Sequence, residues 1–448
     1  MVPCLLWALG TSAPVLAQPV PAARNVAAQS GEPVIRKTYA ESKPGTAPTL
    51  PVAKGAPNVI WILLDDVGYG ASSTFGGGAR TPVLDSLAKN GLTYTNFNTT
   101  AVCSPSRAAL MTGRNHHAVG MGLLPQKLMA AEFPGYTGRL LPKDGTIADY
   151  MRARGYSTYM LGKWHLVPDE EATDLGPFDR WPTGKGFDHW LGFLGGAVDQ
   201  YKPPLVEDNQ YVKPDGRHLT TQLTDKAISY IDRQQKLNPE KPFFMYFSTG
   251  ATHEPFQVDR EWIDKNKGRF DEGWDVYREK TFARQKELGV IPANAKLPPR
   301  NPRVPAWDSL SADQKKVYAR FMEAYSGFFE HTDSEIGRLI AHLKEKGLYD
   351  NTVIFYIVGD NGADVGGGPI GETELTFPSR PTRRASARRR VRPPRCRAGV
   401  GRRCVAQTGP YPSAPHRGCG LEYARSTHPS PRRRPPGQGC PPRQARPR

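Results

Sequence analysis

Three continuous apolar runs, each ending abruptly in polar residues, restrict this chain more than any other feature. Asn58-Val-Ile-Trp-Ile-Leu-Leu64 stops at Asp65-Asp66, Pro242-Phe-Phe-Met-Tyr-Phe247 ends near Thr252-His253, and Thr352-Val-Ile-Phe-Tyr-Ile-Val358 runs into Gly359-Asp360-Asn361-Gly362. A run without polar alternation suits a strand buried on both faces, as at the centre of a parallel sheet. A fourth strand is predicted over 156–161, followed by Lys163 and His165. Helical patterns fall between the strands, over 82–90, 104–113, 147–154, 220–235 and 312–346, the last expected in two pieces. The first of these has Thr81 as N-cap, Pro82 at its first position and Gly91 as stop. The charged interval 262–306 reads as a long excursion off the sheet. The expected fold is therefore α/β, a mostly parallel central sheet flanked by helices. In such sheets ligands bind beyond the carboxyl ends of the strands, so the polar groups at these ends can share one crevice.

The charge is unevenly spread. From Leu375 to Arg448 there are nineteen Arg, no Lys and one acid, Glu422, a balance of +18 against +17 for the whole chain. The body before Leu375 is thus close to neutral, and net charge gives it no reason to bind nucleic acid. The Arg- and Pro-rich stretch lacks apolar periodicity and cannot bury enough surface to fold. Its abrupt loss of Lys resembles translation in the wrong frame. At the other end, MVPCLLWALGTSAPVLAQP is a short apolar run with Val15-Leu16-Ala17 as cleavage site, too short for a membrane span and similar to a secretory signal, although no Lys or Arg precedes it. The expected plan is a signal peptide at 1–17, a Pro/Ala-rich linker at 18–56, a catalytic domain at 57–377 and a disordered tail at 378–448. Export to the periplasm or medium is expected, with no membrane span.

Cys103 stands alone between Cys4 and Cys396, so the body is not a disulfide scaffold. A lone cysteine is commonly a small buried hydrophobe. Its surroundings suggest chemistry instead. Asp65-Asp66 could form a solvated turn, but beside Asp360-Asn361 it completes an all-oxygen set suited to a hard cation, Ca²⁺ or Mg²⁺, and poor for zinc. Arg107 lies one helical turn after Cys103 and can reach back beside it. Lys163 and His165 fall on one side of an extended segment. His253 follows a strand, and His116 and His117 have no evident chemical role. A metal with several cations, and a helix start supplying free N–H groups, suits a tetrahedral oxyanion ester, sulfate or phosphate.

Cys103-Ser-Pro-Ser-Arg107, followed by Ala-Ala-Leu-Met-Thr-Gly-Arg114, closely resembles the sulfatase signature Cys-x-Pro-x-Arg with its Thr-Gly-Arg element. Asp65-Asp66-Val-Gly-Tyr-Gly70, Thr81-Pro-Val-Leu-Asp85, Gly162-Lys-Trp-His165, Thr252-His253 and Gly359-Asp-Asn-Gly362 resemble the same family in the same order, from about Pro57 to about Phe377. The likeness is nearest to bacterial arylsulfatases of the alkaline-phosphatase-like superfamily. It implies that a maturation enzyme oxidises Cys103 to Cα-formylglycine, whose hydrate attacks the sulfur of a small-molecule sulfate ester. The second hydroxyl then expels sulfate. It also implies one divalent cation, Ca²⁺ in most such enzymes, with Mg²⁺ the alternative, held by Asp65, Asp66, Asp360, Asn361 and the modified Cys103. Asp360 would also be the base. Arg107 and His165 would support the formylglycine, and Lys163 and His253 would bind sulfate, with His253 protonating the leaving oxygen.

Two departures from the pattern carry expectations of their own. Sulfatases place a further lysine and a smaller C-terminal domain after the Asp-Asn pair, whereas no lysine follows Lys346. The chain as written is expected to have little or no activity. Alternatives to an arylsulfatase are a formylglycine-dependent phosphonate monoester hydrolase or phosphodiesterase, or an inactive truncated product.

Overall fold

In a computed structural model of the chain, the structure describes residues 34–43, 52, 54–126 and 133–363. The expected signal peptide and the Arg-rich tail lie outside the described residues, as does most of the expected linker. Seven strands form one sheet: β1 (Asn58–Leu63), β2 (Ser157–Lys163), β3 (His189–Phe193), β4 (Val206–Glu207), β5 (Gln210–Tyr211), β6 (Phe243–Ser248) and β7 (Thr352–Ile357). Their order is β5-β4-β3-β2-β6-β1-β7. The ladders among β3, β2, β6, β1 and β7 are parallel, and the short β4 and β5 add an antiparallel margin that the sequence pattern did not show. The order matters more than the count. It sets β2, β6, β1 and β7 side by side, so four carboxyl ends that are distant in sequence open onto one crevice.

The absence of alternation in the apolar runs now has its cause. In β1, Ile60 and Ile62 face one side, joined by Leu161, Met245 and Phe247, and pack on α4 (Leu219–Leu237) and α7 (Ala312–Glu345) through Leu223, Ile231, Phe329, Ile336 and Leu339. Leu63, Met160, Phe244 and Tyr246 face the other side, against Ala108 and Met111 of α2 (Cys103–Thr112), Ala148 of α3 (Ile147–Ala153) and a group containing Trp164, Trp181 and Trp190. Every residue of β2 and β6 is buried. β7 differs from its expectation as a doubly buried strand, because Val353 and Phe355 stay 43% and 49% exposed at the margin of the described sheet.

Three helices correct the sequence reading. α7 is one unbroken helix of 34 residues, opened by a capping box between Ser311 and Gln314. Its Gly327 is no breaker. It lets the backbone of Trp262 lie where a Cβ would sit 2.8 Å from the Trp262 carbonyl. In α1 (Pro82–Lys89), Thr81 occupies the N-cap position but its side chain makes no cap bond. The buried Asp333 of α7 accepts from Val83 N (2.9 Å) and Leu84 N (3.1 Å) instead. α2 begins at Cys103 itself, one residue earlier than expected. The excursion after β6 carries α5 (Arg260–Asp264) and α6 (Gly273–Glu287). Among the described residues, no helix is long and apolar enough to cross a membrane.

Candidate active site

At the crevice, β1 delivers Asp65 and Asp66 and the turn after β7 delivers Asp360 and Asn361. Gly359 makes that turn with φ 88°, and a Cβ there would lie 2.1 Å from the Val67 carbonyl oxygen. Only glycine fits both the left-handed backbone and the close approach. Asp66 is itself left-handed (φ 54°), an uncommon state for a non-glycine residue that tends to persist where surrounding contacts enforce it. One carboxylate oxygen from each of Asp65, Asp66 and Asp360 lies within 4.8 Å of the others. Asn361 Nδ2 donates to Asp66 Oδ1 at 2.6 Å.

Two fully buried cations meet this cluster. Lys163, the last residue of β2, donates to both oxygens of Asp65, at 2.8 and 2.7 Å. Arg107 pairs with Asp360 at 2.7 Å and with Asp65 at 3.3 Å, and donates to the Lys163 carbonyl and to Ser248 Oγ. Burial pushes the Asp65 carboxyl up, but Lys163, Arg107 and His253 outweigh it and hold the group below its ordinary value. Asp66 has weaker support, from His253 at 3.5 Å and from Lys163. Burial, and then the charge of Asp65, push it up to about 6. Burial also raises Asp360, with Arg107 opposing. Three acids therefore face two buried cations, and the shortfall of positive charge falls on Asp66.

A hard cation fits this donor set. Besides the three carboxylates, Asn361 Oδ1 is buried with no hydrogen-bond donor. A buried acceptor without a donor is costly, and a carbonyl oxygen beside carboxylates is what Ca²⁺ or Mg²⁺ takes. The expected fifth ligand stands apart, because the Cys103 thiol is not among the clustered atoms. Its Sγ lies 3.1 Å from His165 Nδ1, and burial raises its pKa.

The structure therefore brings together Cys103, Arg107, Lys163, His165, Asp65, Asp66, Asp360 and Asn361, with some contacts unlike those expected. Arg107 makes no hydrogen bond to residue 103, although its charge acts on the Cys103 thiol. Its acceptors at the strand ends draw it to Asp360, Asp65 and Ser248 instead. Lys163 lies in the strand, but His165 is left-handed (φ 55°), so the two do not share a face through simple extended alternation. Both point inward nonetheless. His253 Nδ1 donates to the Glu254 carbonyl at 2.8 Å, and Nε2 lies 3.5 Å from Asp66 Oδ2. His116 and His117 bond Met121 O and Tyr136 Oη and make no contact with the acids. The sequence reading missed three contributors: Ser248, Ser104, whose Oγ donates to the His165 carbonyl at 2.7 Å, and Gln126, whose Oε1 lies 2.8 Å from His165 Nε2. Ser248 could have been found as one more polar strand end. The other two carry no local signal.

The chain is similar to known sulfatases. The sulfatase family profile matches residues 57–388. An uncharacterised sulfatase of Schizosaccharomyces pombe is 34% identical over 330 residues, covering 69% of this chain and 58% of that protein. An arylsulfatase of Klebsiella aerogenes is 32% identical over 321 residues, 69% of this chain and 66% of that protein. The chain thus spans about three fifths to two thirds of these relatives' length. Among solved structures, Ps i-CgsB with k-i-k-neocarrahexaose is similar with a TM-score of 0.50 and 26% identity, over 69% of this chain and 59% of that one.

Proposed function

Because the chain belongs to the sulfatase family, we propose that it hydrolyses sulfate esters, aryl sulfates among them, in the crevice where residue 103 meets the acidic cluster. The observation that carries this reading is the placement of Cys103. The one cysteine between Cys4 and Cys396 heads a helix whose first turn, which also carries the buried Arg107, lies beside the strand ends that hold three carboxylates and Lys163. The thiol, raised by burial, is a poor nucleophile as it stands. Oxidation to formylglycine by a maturation enzyme would supply a hydrated aldehyde in its place. A cation held by Asp65, Asp66, Asp360 and Asn361, Ca²⁺ or Mg²⁺, would polarise the sulfur–oxygen bonds of the ester.

The remaining work falls to the chain's own residues. His165 holds the side chain of residue 103 through Nδ1. Arg107 fixes Asp360, the carboxylate placed to take a proton from residue 103. Lys163 compensates Asp65 and adds positive charge where the anion binds. His253 bonds the Glu254 carbonyl through Nδ1, holds Nε2 3.5 Å from Asp66 Oδ2 and would pass a proton to the leaving oxygen. Secretion or a periplasmic location belongs to the same reading and rests on the first 17 residues.

The test pairs turnover with mass. Protein made in a host that forms formylglycine should show residue 103 lighter than cysteine by peptide mass spectrometry and should hydrolyse 4-nitrophenyl sulfate, slowly because no lysine follows Lys346 to add a further anion contact. Cys103→Ala should lower kcat at least about a thousandfold, as expected when a nucleophile is removed. Equal turnover in the variant, or an intact thiol in active protein, would refute the reading. A faster rate on an aryl phosphonate monoester than on the sulfate would move it to the phosphonate hydrolase alternative.

A further inference from the structure

His165 has almost no freedom. Its backbone is left-handed, its N–H donates to the Leu194 carbonyl at 3.1 Å, and its own carbonyl accepts from Ser104 Oγ. One edge of the ring runs so close to Gly196 that a Cβ there would lie 2.7 Å from Cε1. Both ring nitrogens are engaged, Nδ1 with residue 103 at 3.1 Å and Nε2 with Gln126 Oε1 at 2.8 Å. Residue 103 brings a hydrogen of its own on its thiol or hydroxyl, so Nδ1 faces a donor and the ring carries one N–H and one acceptor. An amide oxygen can only accept, so the nitrogen facing Gln126 must carry the hydrogen.

We propose that Gln126 is a positioning residue that fixes His165 as the Nε2–H tautomer and so presents Nδ1 as a hydrogen-bond acceptor to residue 103. The opposite tautomer would set a ring lone pair against the amide oxygen and turn an N–H toward residue 103. With Nδ1 as acceptor, a hydroxyl on residue 103 has one direction in which to donate. This orients its oxygen lone pairs for the reaction proposed above, on which the catalytic part of the inference rests. The proton stays on Nε2 throughout, because Gln126 gives it no exit.

Two variants separate hydrogen bonding from packing. Gln126→Met keeps the length but offers no useful acceptor, whereas Gln126→Glu can only accept. In the full chain labelled with ¹⁵N-histidine, with the His165 signals assigned by their loss in His165→Asn, the wild type and Gln126→Glu should show a proton on Nε2 and none on Nδ1. Gln126→Met should show a mixture of tautomers or the Nδ1–H form. On 4-nitrophenyl sulfate, Gln126→Met should lower kcat roughly 10–100-fold, the usual cost of losing such a supporting partner, with KM little changed and the thermal midpoint kept. Gln126→Glu should recover most of kcat. An Nδ1–H ring in the wild type would overturn the proposal. So would wild-type kcat in Gln126→Met, or a Gln126→Glu variant as slow as Gln126→Met. If the wild-type chain turns over no sulfate ester, the hydrolase reading fails, and the NMR result alone decides the role of Gln126.

Discussion

The guanidinium of Arg107 lies wholly buried between Asp360 at 2.7 Å and Asp65 at 3.3 Å, with a carbonyl and a hydroxyl taking its other donors. Removing it would leave two carboxylates in low dielectric with Lys163 as the one remaining buried cation. Arg107→Met should therefore destabilise the fold by about 3–5 kcal/mol, the usual cost of breaking a buried pair, measured by urea unfolding without added cation. The shortfall of positive charge at Asp66 makes the opposite prediction for metal. Ca²⁺ at a hundred times its Kd should add about 2.7 kcal/mol of stability, seen as a rise in the thermal midpoint that EDTA reverses. Asn361→Leu, which removes the buried carbonyl oxygen, should reduce the rise. An unchanged midpoint at millimolar Ca²⁺ and Mg²⁺ would contradict a cation site. At this scale the sequence was legible where the chemistry is local. Asp65-Asp66 and Asp360-Asn361 announce an oxygen cluster because each pair sits at the end of its own strand. The destination of Arg107 was not legible, since it depends on which strands are neighbours. Gln126 has no pattern of its own and acquires meaning only beside His165.

At the level of elements, Asp333 shows how one buried side chain can join two helices. It lies in the middle of α7 and accepts the free N–H groups of Val83 and Leu84 that α1 cannot satisfy internally. Burial pushes its carboxyl up to about 6, against those two hydrogen bonds. The sign of the consequence follows. A carboxyl whose folded pKa lies above its unfolded value contributes most at low pH, and the contribution is lost as pH rises through about 6. Asp333→Asn carries no charge to bury. It should gain on the wild type by on the order of 2 kcal/mol as pH rises from 4 to 7, and urea titrations at both pH values would check this. Gly327 gives a plainer test. Alanine should favour the helix by about 1 kcal/mol, yet its Cβ would meet the Trp262 backbone at 2.8 Å. We expect Gly327→Ala to cost about 1–3 kcal/mol net through overpacking. The four long strands and most helices were readable from periodicity and capping residues. α7 was expected in two pieces but is one helix, and Trp262 lies across it at Gly327. β4 and β5 have two residues each, too few for any periodicity.

Taken whole, the molecule is organised by a strand order that no local pattern contains. β1 lies between β6 and β7, with β2 beyond β6, and from this follow the crevice, the meeting of Lys163 with Asp65 and the burial of the segment after β6. That segment is fastened from behind by two histidines. His218, at the start of α4, donates Nε2–H to the Gln257 carbonyl at 3.0 Å, and His331 of α7 lies against it with ring centroids 4.3 Å apart. Burial lowers both to about 4. The charges around them are mixed, Asp259 and Lys265 after β6 and Glu335 and Arg338 on α7, and the acid paired with His331, Glu335 at 3.8 Å, is shared with Arg338, so burial is not offset. In the unfolded chain both rings take up protons near their ordinary value. Unfolding therefore binds protons, and the stability these two groups allow is present above about pH 6.5 and lost as pH falls toward 4. His331→Phe keeps an aromatic ring against Trp262 and His218 but cannot bind a proton. Between pH 7 and pH 5, the wild type should lose about 2 kcal/mol of stability relative to this variant. The comparison should be run with saturating Ca²⁺, so that the acids at the strand ends titrate alike in both proteins. A difference that stays constant across that range would mean the two rings meet no cost on protonation, and that the segment carrying His253 is not held by them.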